Sequence, residues 1–559
     1  MKRIVLYTCL PFAAFILVMG KGIAQDGRSQ ERGEIRDTEF IIRKDRVLSL
    51  PQQQRVFERP PSLPEVSSEG SYTYQVKDFF LDLRPVELDV QPYVRNFPKP
   101  TPETYHSFTK LGYGNYQSPL AEIYINNLQD QDRNFGVKLK HQGFYEGPVD
   151  GANSAEDHTE VRVNGSLFRD NIEIFGDLGY IRDRYNFYGY SANPVLEGTD
   201  FDLEQNFNTV EGDVGIRNLD RLDVFDFDAT VGLRLFNDNY LAREHEARVK
   251  ANVGFRANEN LHGGIRSELY FTSPSDSTYT DINRNFFRLQ PYAAYIKDGW
   301  DIKVGANVIH ENDIVPNKTD DFHIFPLAKI AYYFMPSIGV FANYVGDVQR
   351  NTYYGFIREN PFLGPSAQLR NTIQNYKIDA GIKGAIDGEL AYEVGISYGN
   401  FTNMHFYGNH QFDSTRFELI YDDMTRVINL HAAVNWSFDN WYQLDAKADF
   451  YQFTLEDIES HWQMPEWEIK LFNTFKPMEQ LRIQANAHVM GGIPVLNLES
   501  GTTDVLNPIF DLQAKVDYSV SPRFSIFAIG NNLLNQSYQR FWNYPVRGIQ
   551  GIGGVTFKF

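Results

Sequence analysis

The residues that offer chemistry are few. Asp226 and Asp228 stand two apart in Phe225-Asp226-Phe227-Asp228, and on an extended chain both carboxylates leave the same face. Such a pair is a candidate for holding a hard cation. Acids on the wet wall of a pore more often serve only to solvate it. The 12 histidines are scattered, with no His-Glu-x-x-His or comparable ligand spacing. Gly112-Tyr113-Gly114 and Gly551-Ile552-Gly553-Gly554 lie in extended segments with no helix behind them to cradle a phosphate. They read as close-packing positions in a sheet. No Ser-His-Asp set stands out. The reading is a non-enzyme, with no catalytic residue, no cofactor and no metal centre.

The single cysteine, Cys9, lies within an apolar run from Ile4 to Met19 that follows Met1-Lys2-Arg3. Gly22-Ile23-Ala24 supplies small residues for cleavage before Gln25, so residues 1–24 read as a secretory signal peptide. The mature chain then has no thiol, which excludes disulfides and Cys-ligated zinc or iron–sulfur sites. Cleavage also removes Lys2, Arg3 and Lys21 and no acid. The mature chain is therefore more acidic than the formal −19 of the whole, which disfavours a nucleic-acid partner.

Residues 25–104 form an extended arm, expected in the periplasm. Pro51, Pro60, Pro61, Pro64, Pro85, Pro92, Pro98, Pro100 and Pro102 forbid a continuous helix or central strand there. Two apolar pieces, Phe40-Ile41-Ile42 and Phe79-Phe80-Leu81, are stickier than a linker requires. They are candidates for docking on a partner or within a barrel by strand addition.

From about Tyr105 to Phe559 the pattern is strand-like. Phe225, Phe227, Ala229, Val231, Leu233 and Leu235 alternate with Asp226, Asp228, Thr230, Gly232 and Arg234. The same period recurs at 247–256, 442–450 and 481–489. Short turns are expected near 129–132, 169–171, 218–220, 257–260, 297–299, 335–336, 386–388, 438–440, 476–479 and 521–522. Longer, wetter loops are expected between them, notably at 146–157, 192–204, 273–283, 351–371, 402–423 and 492–507. Tight turns on one rim and long loops on the other describe an outer-membrane barrel. The predicted fold class is all-β: a large antiparallel transmembrane β-barrel of about 22 strands behind a Pro-rich periplasmic arm. A mean hydropathy of −0.41 is compatible with it, because every second residue faces water. Trp300, Trp436, Trp441 and Trp467 fall near predicted strand ends, where an interfacial girdle would place them.

The chain ends in a strand in which Val555, Phe557 and Phe559 face one way and Thr556 and Lys558 the other. Such an ending is either a hazardous open edge or the closing strand of a barrel. Val555, Phe557 and Phe559 are thus the expected closure and assembly signal, read by the barrel-assembly machinery. Together with Asn532-Leu533-Leu534-Asn535-Gln536-Ser537-Tyr538 and Tyr544-Pro545, this ending resembles the C-terminal signature of TonB-dependent outer-membrane receptors. The signature residues are Asn532, Leu533, Asn535 and Tyr538.

The resemblance implies a receptor barrel in the outer membrane of a Gram-negative cell, with outer-membrane lipid around it and long loops outside. It also implies a plug domain moved by TonB, for which residues 25–104 are too few and too proline-rich. Asp37-Thr38-Glu39-Phe40-Ile41 resembles a TonB box only faintly. Two functions follow. One is transport or a channel for a solute across the outer membrane. The alternative is a plugless scaffold barrel in a multiprotein assembly or secretion machine, with periplasmic or surface lipoprotein or outer-membrane protein partners.

Overall fold

The structure is a computed structural model. It describes residues 105–559 apart from 128–131, 191–202, 220–223, 278–281, 314–320, 365–367, 411–412, 414 and 498–500. Strict alternation leaves each strand one apolar and one polar face. With lipid on one side and water on the other, only closure satisfies both faces and every backbone group. The chain takes that solution. Its main sheet has 22 strands, each antiparallel to its sequence neighbours in the ring. The last strand, Gln550–Lys558, pairs with the first, Phe108–Gly114, in the register Leu111 opposite Val555 and Thr109 opposite Phe557. Ser107 and Phe559 exchange two backbone hydrogen bonds, of 3.2 and 2.9 Å, that finish the seam.

Outward positions form an apolar belt. Val214, Val231, Leu233 and Val253 are exposed, as are Val555, Phe557 and Phe559 at the seam. A continuous apolar surface of this extent has no stable aqueous state and requires lipid. The seam itself is close-packed. A side chain at Gly554 would place its Cβ 2.1 Å from the Leu111 carbonyl and 2.5 Å from the Phe527 ring.

The tight rim follows turn chemistry legible in sequence. Asp170, Asp298, Asp387 and Asp439 take positive φ near 50° ahead of Asn171, Gly299, Gly388 and Asn440. Asp170-Asn171 and Asp298-Gly299 make two-residue hairpin loops, and Asp387 and Asp439 open three-residue ones, each tight enough to favour a left-handed residue. Trp300 and the packed set Trp436, Phe438, Trp441, Tyr442 and Phe475 lie at this rim. Trp467 begins its strand at the opposite rim. The opposite rim carries the longer loops, with two departures from the expected pattern. The first hairpin turns over residues 115–117 and the fourth over 239–242. Both are met by neighbouring loops, the first through the Tyr116 carbonyl accepting from Tyr145 and Glu146 and the second through Arg416 over the Tyr240 ring.

The wall is not polar throughout on its inner side. Beneath the seam Leu120, Phe144, Phe527 and Ile552 make an apolar cluster inside the barrel.

Candidate functional site

Twenty-two strands spaced about 4.8 Å apart and tilted about 40° enclose a ring roughly 40 Å across. The loops that meet over this opening come from all around it. The 187–203 loop joins the fifth and sixth strands and the 239–242 turn the seventh and eighth. The 350–371 loop joins the thirteenth and fourteenth, the 403–424 loop the fifteenth and sixteenth, and the 532–549 loop the last two. The fifth and fifteenth strands are almost diametrically opposed in a ring of 22. Residues from these two sides nevertheless touch. The Arg416 guanidinium lies 4.8 Å from the Phe187 ring and 4.7 Å from Tyr240. Such contacts exist only if the loops span the mouth.

The lid has a core of its own. Phe187, Tyr188, Tyr353, Phe356, Phe362, Leu363, Tyr407, Phe417, Phe541 and Tyr544 are all buried in one cluster. Tyr544 is its centre. Its ring stacks on Phe362 at 3.5 Å and meets Tyr188 edge-on at 4.9 Å. Its hydroxyl donates to the Thr415 carbonyl. The approach depends on Gly189, where a Cβ would fall 2.5 Å from the Tyr544 ring.

The 350–371 loop also reaches the inner wall. It carries a short helix, Tyr353–Glu359, capped by the Thr352 hydroxyl accepting from the Gly355 N–H. The helix docks on strands Phe225–Asp238 and Arg243–Arg256, well round the ring from its own root. The Tyr353 N–H donates to the Glu244 carboxylate at 2.9 Å, and Arg350 pairs with Glu246 at 2.6 Å. The Arg234 guanidinium lies 4.1 Å from the Tyr354 ring and bonds Glu246 at 2.9 Å. At the helix end, burial alone would raise the Glu359 carboxyl, but the His405 hydrogen bond and charge outweigh it and hold it below the usual range. Its carboxylate sits 3.3 Å from His405 Nε2.

Below the lid the wall carries paired charges. Arg162 bonds Asp177 and Glu211, each at 2.6 Å, and Glu160 at 3.2 Å. Arg288 bonds Glu268 at 2.8 Å and Asp347 at 2.7 Å. Glu468 receives Lys470 and His488. Asp226 and Asp228 face the lumen opposite Gly254 and Asn252. Among the described residues no three His, Cys, Asp or Glu side chains converge on a point where a metal ion could sit.

The signature residues pin the 532–549 loop. Asn532 and Asn535 adopt positive φ of 45° and 48°, a conformation that asparagine tolerates better than most residues. The Asn532 amide donates to the Gln536 and Arg547 carbonyls, and its oxygen accepts from the Gln536 N–H. Asn535 Oδ1 accepts from the Ile549 N–H at 3.1 Å. Tyr538 is buried among Met490, Ile493, Val495, Leu506, Ile509 and Val546. Leu533 is partly exposed at the rim. Phe40, Ile41, Ile42, Phe79, Phe80 and Leu81 lie outside the described residues.

Sequence reasoning passed over Arg547. Its side chain is almost fully buried, bonds the Glu156 carboxylate at 2.7 Å and lies 4.3 Å from the Phe144 ring, tying the last loop to the second. A single arginine after Tyr544-Pro545-Val546 carries no periodic signal that would have marked it.

No family model matches the chain, and no curated protein does. Solved structures share its fold. FpvA of Pseudomonas aeruginosa, in a complex with a heterologous pyoverdine, superposes with a TM-score of 0.63 at 10% identity, over 81% of this chain and 72% of that one. The ferric-catecholate import receptor Fiu of K12 E. coli gives 0.60 at 11%, over 82% of both. The copper transporter OprC gives 0.58 at 11%, over 82% and 81%. The fold is the barrel of the TonB-dependent receptors, as the C-terminal signature implied.

Proposed function

We propose that this chain is an outer-membrane receptor barrel that admits a solute through a mouth closed by its own loops. The observation that carries the reading is the lid, a buried aromatic core built from loops on opposite sides of a ring otherwise wide enough to leak. On this reading the loop rim faces outward and the tight-turn rim faces the periplasm. Solved structures of like fold, described as receptors and transporters for pyoverdine, ferric catecholates and copper, support the choice of class. The scaffold alternative draws no comparable support.

The test is conductance of the purified full chain in a planar bilayer, alongside growth of a deletion strain on limiting nutrients. A chain closed by its loops gives small, rare openings, and its loss impairs use of one nutrient. A steady, large ohmic pore would contradict closure by the lid. Tight retention of stoichiometric proteins without a nutrient phenotype would favour the scaffold. Uptake in a strain lacking TonB decides whether that protein powers it. Residues 37–41 are then the segment to delete, and the arm residues Phe79–Leu81 the segment to delete for loss of a bound partner.

A further inference from the structure

Most inward-facing arginines of the wall are bonded to carboxylates. A facing pair of lysines departs from this. Lys303, on strand Trp300–Glu311, stands directly opposite Lys329, on strand Phe322–Met335. Both face the lumen, since their strand neighbours Val304 and Ile330 are exposed toward lipid. On its other side Lys303 stands opposite Ala294 of strand Arg284–Lys297. Arg266 faces the same lumen from strand Leu261–Ser275, opposite Gln290.

Like charges directly across a ladder destabilise it, and these lack the relief found elsewhere. Glu268, which could have served, is taken by Arg288 at 2.8 Å. Lys303 lies instead over the Tyr292 ring at 3.9 Å. Among the described residues no carboxylate comes within ion-pair distance of Arg266, Lys303 or Lys329. Arg266 and Lys329 are exposed to the lumen and Lys303 is half-buried. Lys138 faces Arg162 and Lys447 faces Lys470 in the same way, but Glu160 relieves the first pair and Asp449 and Glu468 the second; a facing pair left without such relief marks a functional position. The missing component is an anion with more than one charged oxygen, because Lys303 faces Lys329 directly and Arg266 stands four residues farther along the intervening strand, opposite Gln290 where Lys303 is opposite Ala294, so that a solute with spaced charges can reach all three.

We propose that Arg266, Lys303 and Lys329 bind the carboxylate or phosphate groups of a small polyanionic solute inside the barrel. This deepens the receptor reading and rests on it. The arginine offers a planar fork and the lysines two mobile ammonium groups. The Tyr292 ring beside Lys303 gives the organic part of such a solute a surface to lie on. An unpaired cation here also raises the local concentration of anions diffusing through the lumen.

The experiment uses the full chain in detergent with citrate and inorganic pyrophosphate as probes, and sodium chloride matching ionic strength so that simple screening cancels. Unfolding is followed by loss of the heat-modifiable band, and binding by equilibrium dialysis. Citrate or pyrophosphate should raise the unfolding midpoint beyond the chloride control and bind at one site per chain. The double variant Lys303→Gln with Lys329→Gln should lose that rise and bind at least tenfold more weakly. In chloride alone it should unfold at the same temperature or higher, because a repulsion has gone. Arg266→Gln should weaken binding in the same direction, whereas Lys515→Gln, which breaks a pair with Asp517 elsewhere on the wall, should leave it unchanged. No anion-specific rise in the native chain, or undiminished binding in the double variant, overturns the site. Either result leaves the conductance and growth tests of the receptor reading standing.

Discussion

Replacing Tyr544 separates the lid from the barrel. Tyr544→Ala removes a buried ring, worth about 3–5 kcal/mol in a packed core. Within that, stacking on Phe362 and the edge contact with Tyr188 account for about 1 kcal/mol each, and the hydroxyl bond to Thr415 for about 1 kcal/mol. Four kcal/mol, taken as about the middle of that range, shifts a closed-to-open equilibrium by roughly a thousandfold. Tyr544→Phe keeps the stack and forfeits only the hydroxyl, so its shift is roughly fivefold. None of these contacts belongs to the ladder of the main sheet, so the heat-modifiable midpoint should change little. Open probability in a bilayer and the rate of protease cleavage within 350–371 and 403–424 read the lid directly. Equal conductance and cleavage for Tyr544→Ala and the native chain would refute the lid as a cooperative unit. Equal effects of the alanine and phenylalanine changes would show that the hydroxyl, not ring packing, holds it.

Three further outcomes follow from the geometry. Gly554→Val should prevent closure, because even a Cβ meets the Leu111 carbonyl at 2.1 Å; a normal yield of heat-modifiable protein would contradict the seam. Phe559→Asp should lower the yield of inserted barrel while leaving the midpoint of the assembled fraction nearly unchanged. The ring of Phe559 faces lipid and its ladder bonds use only backbone, so equal yields would remove it as an assembly signal. Glu359 is held below its ordinary value of 4.5 in the folded lid. Its contribution is therefore present above that value and lost as pH falls through the lower folded one. Cleavage within 350–371 should rise over that acid interval in the native chain and be flat in Glu359→Gln.

Much of the barrel was legible because its determinants are local. Alternation fixes which face of each strand meets lipid, and Asp-Gly or Asp-Asn pairs fix where hairpins turn. These two signals, summed along the chain, lead to an even count of about 22 strands, and the barrel has 22. The C-terminal strand announced closure for the same reason, since its faces are written in consecutive residues. Even the role of Asn532 is local, a left-handed residue whose amide bonds within its own loop.

The lid and the wall sites were not legible, because they depend on which distant residues the closed ring brings together. Tyr188, Phe362, Thr415 and Tyr544 belong to four different loops, with nothing in their spacing to say that they meet. Arg234 and Lys329 look alike in sequence, each an inward cation in an alternating strand. One faces Glu246 and the other faces Lys303. Period and turn type set the orientation of every side chain, but register between strands set its partners. Only the closed barrel fixed that register, because closure must satisfy all 22 strands at once.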